Sequence, residues 1–98
     1  MSLSTILRRT AAIELEQAVA WYEDRRAGLG VTFRRRVDAT LDRIAQDPLL
    51  FAEAEDGIRE ARVYRYPYCI YFRIETDQIV ILSVFHTSRD PESWKNRA

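Results

Sequence analysis

One histidine, one cysteine and a dense run of arginines and tyrosines hold the reactive chemistry of this 98-residue chain. His86 is the one side chain that can both give and take a proton near neutral pH, as general acid–base catalysis requires. No carboxylate stands beside it in sequence to orient the ring, so a structural role at a strand end and a contact with a partner compete with catalysis. Tyr64, Tyr66, Tyr68 and Tyr71, with arginines on either side, have the make-up of a stacking platform for single-stranded nucleic acid, although by pattern half of them belong to a core. Cys69 lies mid-strand without a sequence neighbour to lower its pKa, and reads as a packed thiol. Arg34, Arg35 and Arg36 spread over three directions of a helix with Asp38 and Asp42 in reach, which reads as a solvated face. No glycine-rich phosphate loop, paired metal-ligand spacing or Ser-His-Asp order is present. Nucleotide hydrolysis, zinc chemistry and acyl transfer are therefore unsupported, and no cofactor or metal is expected.

The elements that must position these groups are legible from hydrophobic period. Leu3, Thr5 and Leu7 alternate with Ser4, Ile6 and Arg8, predicting a first strand. Thr10 is a candidate cap for a helix whose buried face is Ala11, Leu15, Ala18, Val19 and Tyr22. Gly28 and Gly30 permit a tight reversal into a second helix with the stripe Phe33, Val37, Leu41 and Ile44, closed by Asp47-Pro48. From Ile58 the period changes to two, and turns at Pro67 and between Glu75 and Gln78 divide the segment into three antiparallel strands. With Tyr64 opposite Pro67 and Glu75 opposite Gln78, one face collects Ala61, Val63, Tyr68, Ile70, Phe72, Ile74, Ile79, Ile81 and Phe85, with Ser83 its only polar member, and must take the helices. The other face collects Arg62, Tyr64, Cys69, Tyr71, Arg73, Val80, Leu82, Val84 and His86. The fold class is α+β in a single domain over residues 1–98: an N-terminal strand, an antiparallel helix hairpin packed on one face of an antiparallel β-meander, and a short C-terminal helix after Asp90-Pro91.

Composition narrows the function. Hydrophobic residues make up 47% and charged residues 31%, which argues against disorder. Fifteen basic residues balance fifteen acidic ones, so any nucleic-acid binding must come from a local patch. Arg59, Arg62, Arg65 and Arg73 against Glu60 alone supply such a patch, next to the acidic stretch from Asp38 to Asp56. A lone cysteine excludes an internal disulfide, and no apolar run approaches the ~20 residues of a membrane span. The start MSLSTILRRT has no signal-peptide core, so the expected compartment is the cytoplasm.

Three phrases in order, AVAWYEDRRAGLGVTF, RVYRYPYCIYFRI and IVILSVFHTSRDPESWKNR, resemble the toxins of the RelE/ParE superfamily over nearly the whole chain. The likeness is nearest to the ParE-type, plasmid-stabilisation branch. It implies the toxin of a type II toxin–antitoxin pair, neutralised by a cognate antitoxin that wraps it. It implies one of two activities: ParE-like inhibition of DNA gyrase by a non-enzyme, or RelE-like cleavage of mRNA on the ribosome. An inactive relative that only binds its antitoxin is the third reading. The arginine that RelE-like enzymes carry on the middle meander strand corresponds to Cys69, which sides with the gyrase inhibitors. Arg62, His86 and Arg89 are the candidates for catalysis if the chain is an endoribonuclease.

Arg62, Arg65, Arg89 and Trp94 group around one sheet edge and its C-terminal exit and are the expected contacts to the cellular target. Tyr71, Val80, Leu82 and Val84 would leave an apolar patch on the mixed face, and are the expected antitoxin-binding residues.

Overall fold

The change of period at residue 58 divides the structure, a computed structural model that describes residues 3–88. Before it come strand β1 (Ser4–Leu7), helices α1 (Arg9–Arg25) and α2 (Leu29–Gln46), a 3-10 turn at Pro48–Leu50 and strand β2 (Glu53–Glu55). After it come β3 (Ile58–Arg62), β4 (Tyr68–Ile74) and β5 (Gln78–His86). The α+β architecture is the expected one, with both helices on one face of the sheet. The expected final helix, Arg89 and Trp94 lie outside the described residues.

The sheet has five strands in the order β1-β5-β4-β3-β2. β1 runs parallel to β5, with Leu7 opposite Ile81, so the first strand docks on the last. β2 is an addition that sequence alone did not suggest, because Glu53, Ala54 and Glu55 are all exposed and carry no apolar alternation. Its partner holds it instead: Arg59 pairs with Glu53 at 3.6 Å and donates to the Phe51 carbonyl at 2.6 Å.

α1 begins one residue before the expected Thr10 cap. Arg8 is its cap residue, in extended conformation, and no side chain caps the helix. The reason is the sheet: Arg8 N–H donates to the Ile81 carbonyl at 3.0 Å, which fixes where the strand ends and the helix starts. The α1–α2 reversal needs both of its glycines, for different reasons. Gly28 has φ +93°, the left-handed region. Gly30 sits where a Cβ would lie 2.8 Å from the Val19 carbonyl oxygen. Glu23 of α1 locks the turn by accepting from the N–H groups of Gly28 and Gly30, each at 3.0 Å, donors that a helix start leaves unsatisfied.

The β3–β4 register places Arg62 opposite Cys69 and Ala61 opposite Ile70, as the Tyr64/Pro67 turn predicts. The Glu75/Gln78 turn also sets the first part of β4–β5, from Ile74 opposite Ile79 to Phe72 opposite Ile81. There the register shifts: Tyr71 faces Ser83, which leaves Leu82 without a cross-strand partner, a β-bulge. An extra residue reverses the alternation for the rest of the strand. Val84 therefore belongs to the core under the helices with Ile70, Phe33 and Leu15, not to the opposite face. Phe85, expected under the helices, joins Cys69, Tyr71, Val80, Leu82 and Ile58 in a second cluster.

Glu14, buried on α1, meets the bulge. It accepts from Ser83 Oγ at 2.9 Å and from Val84 N–H at 3.1 Å. β1 ends opposite Ile81, so this side of β5 has no strand neighbour beyond that point and the carboxylate stands in for one. Substituting Glu14→Ala should destabilise the fold by about 2–4 kcal/mol, since two buried donors lose their acceptor, and Glu14→Gln by about half as much. Urea unfolding with an unchanged slope is the measure. Gly30→Ala should cost ~1–3 kcal/mol in the same assay, because the contact it creates is with backbone that cannot rotate away.

Candidate functional site

The turn between β3 and β4 carries the most exposed aromatic and basic groups of the meander. Arg65 has φ +67°, left-handed and uncommon for a residue with a side chain, and is held by hydrogen bonds on either side: Tyr66 N–H to the Val63 carbonyl at 3.1 Å and Val63 N–H to the Tyr68 carbonyl at 3.0 Å. The geometry presents Tyr64 at 57% exposure. Two guanidiniums lie over its ring, Arg65 at 5.2 Å and Arg36 of α2 at 5.3 Å from the centroid. The arginine run on α2 thus divides. Arg34 pairs across the hairpin with Glu16 rather than with Asp38 or Asp42, while Arg36 reaches the turn. Ion pairs take up Arg34, Arg59 and Arg73; Arg36, Arg62 and Arg65 form none with a described residue.

The other tyrosines serve packing. Tyr22 stacks on Phe33 at 4.8 Å, Tyr66 meets both edge-on, and Tyr68 packs against Phe33 at 5.1 Å. Burial raises the Tyr22 pKa, and the nearby Tyr68 and Tyr66 hydroxyls add to it. Tyr71 is buried at 8% exposure.

His86 lies on the helix side of the sheet, not on the mixed face, because the bulge precedes it. It faces Tyr68 across the strands, with ring centroids 5.0 Å apart. Its Nδ1 accepts from Ser88 N–H at 3.1 Å and lies 2.7 Å from Ser88 Oγ. With Glu14, Trp21, Tyr22, Tyr68 and Ser88 it lines a cleft of about 420 Å³ between α1 and the end of β5. Arg62 lies opposite Cys69, a member of the second cluster. The sheet therefore stands between His86 and Arg62, and the two do not form one proton-transfer site.

The apolar patch expected on the mixed face is closed. Tyr71, Val80 and Leu82 are 8%, 6% and 1% exposed, and Val84 is on the helix side. Cys69 is buried among them, and that burial, with Glu60 nearby, pushes its thiol pKa up against the opposing pull of Arg62 and a hydrogen bond with Tyr71. Its thiolate fraction at pH 8 is accordingly below that of a free cysteine. Iodoacetamide should modify Cys69 at least about tenfold more slowly than a free-cysteine peptide at pH 8, and at a similar rate once urea unfolds the chain. Mass spectrometry of timed samples reads both rates.

Sequence reasoning missed Glu14 and the Arg36–Tyr64 contact. The first had a signal, an acid at position 14 within the buried series Ala11, Leu15 and Ala18. The second had none, since it joins a helix to a turn. Among the described residues no cluster of His, Cys, Asp and Glu could hold a metal ion, and no helix is long and apolar enough to cross a membrane.

The strand, helix hairpin and antiparallel strands, with three arginines around an exposed turn, have relatives. Among solved structures, the chromosomal ParDE toxin–antitoxin system from P. aeruginosa matches with a TM-score of 0.78 and 19% identity, over 89% of this chain and 98% of that chain, which is a likeness of fold. No curated protein matches at a significant level. The family described as ParE toxin of type II toxin–antitoxin system, parDE, matches residues 5–91. That match takes in both helices and every strand but the first residue of β1, and the chain belongs to the ParE toxin family.

Proposed function

We propose that this toxin acts in the cytoplasm by inhibiting DNA gyrase through surface contact, and that a cognate antitoxin, expressed with it in a plasmid-stabilisation type of module, neutralises it. The observation that carries the reading is the division of the candidate catalytic groups. His86 lines a cleft under α1, Arg62 projects beside the second cluster, and Cys69, which by the sequence resemblance corresponds to the arginine of RelE-like enzymes, is a buried thiol. A protein that cleaves RNA needs its acid, base and phosphate-binding cation around one bond. A protein that inhibits by binding needs only an exposed contact surface.

Arg62 and Arg65, both exposed, are the proposed target contacts within the described residues, and Arg89 and Trp94 complete the set by sequence. Tyr71, Val80 and Leu82 are proposed to meet the antitoxin. Because all three are buried, an antitoxin using this face must open it, and binding should change the amide exchange of β4 and β5.

Purified protein should inhibit gyrase supercoiling and trap cleaved DNA, and should leave A-site mRNA intact in a translation extract. Cleaved mRNA with unaffected gyrase would assign the endonuclease activity instead, and absence of both, together with normal growth on induction without antitoxin, an inactive relative. Arg62→Ala should relieve growth arrest while the melting temperature stays within about 2 °C, as expected for an exposed side chain. His86→Gln should leave arrest unchanged at equal expression.

A further inference from the structure

We propose that Arg36, Tyr64 and Arg65 form a binding site for a short stretch of single-stranded nucleic acid. Each of the three is exposed, and the two guanidiniums stand 5.3 and 5.2 Å from one aromatic centroid, so two cations and a flat ring share a surface a few ångströms across. Among the described residues no carboxylate pairs with either arginine, whereas Arg34, Arg59 and Arg73 each have one. Tyr64 adds what an anion alone does not need: a ring, 57% exposed, on a turn fixed by the left-handed Arg65. An unpaired base can stack on tyrosine or on a guanidinium plane, and such stacking is tolerant of sequence.

Charge along β3 sets the length and form of the ligand. The turn lies at the Arg62 end of the strand, while Glu55 and Asp56 lie at its start, roughly 15–20 Å away at the usual rise per residue. A duplex laid along the strand would bring its phosphates against those acids. A few unpaired nucleotides at the turn would not. An acidic peptide could satisfy the arginines, but it brings no plane for Tyr64.

The inference does not rest on the gyrase reading, since the binding is measured with no second protein present. Fluorescence anisotropy of the full chain with labelled single strands of about twelve nucleotides, one DNA and one RNA, against the matching DNA duplex, tests it. The single strands should bind at least about tenfold more tightly than the duplex, with log affinity falling against log salt at a slope near −1.4, about 0.7 for each arginine. Arg36→Ala and Arg65→Ala should each reduce affinity about fivefold and flatten the slope by about half; Tyr64→Ala should reduce affinity with the slope unchanged, and Tyr64→Phe should retain it. The ratio of DNA to RNA affinity names the source of the strand. Unchanged melting temperatures establish that each variant is folded. Equal binding of duplex, effective competition by polyglutamate, affinity indifferent to all three positions, or no binding at low salt would each overturn the proposal.

Discussion

A buried carboxylate on the first helix governs how the last strand is divided between two faces. Glu14 is 9% exposed, and removing a carboxyl group from water to that extent is unfavourable unless donors replace the lost hydration. Ser83 Oγ and Val84 N–H are such donors, and both sit just after Leu82, the residue without a cross-strand partner. The interaction and the bulge support one another. The bulge turns Ser83 and Val84 toward α1, and the carboxylate satisfies a backbone donor beyond the end of β1. The polarity of the remaining residues follows: Val84 goes into the main core, Phe85 into the second cluster, and His86 to the helix side.

That division bears directly on chemistry. His86 lies on the helix side of the sheet and Arg62 beside the second cluster, so their side chains leave from opposite faces. Cys69, Tyr71, Val80, Leu82 and Phe85 are closely buried on the second side, where burial keeps the thiol protonated and inert. Among the described residues, the β3–β4 turn presents exposed arginines beside Tyr64. The two ends of β3 carry opposite charge, which reconciles a net charge of zero with a locally basic surface.

Glu23 plays the corresponding part at the helix turn. By accepting from Gly28 and Gly30 it ties the end of α1 to the start of α2, and the glycines let the two backbones approach closely enough for it to do so. With the hairpin fixed, Phe33 and Val37 present a stripe to the sheet that is fully buried. Burying side chains of this size stabilises by about 1.5–3 kcal/mol each relative to exposure.

The helices, the meander and both turn positions were readable from residues alone because each rests on local spacing: 3.6 for the helices, two for the strands, and turn residues that count off the first pairs on each side. The superfamily was readable too, from three phrases that lie in order along the chain. What sequence could not convey was non-local. β2 exists because Arg59 and β3 hold it, not because Glu53, Ala54 and Glu55 favour a strand. Arg36 belongs to the turn only because α2 passes beside it. The placement of Val84, Phe85 and His86 went astray because counting from a turn assumes an unbroken ladder. The bulge at Leu82 is stabilised by a carboxylate 70 positions before Val84, the residue whose N–H it accepts. Periodicity determines which face a residue would occupy in an ideal strand; tertiary hydrogen bonding decided where this strand departs from the ideal.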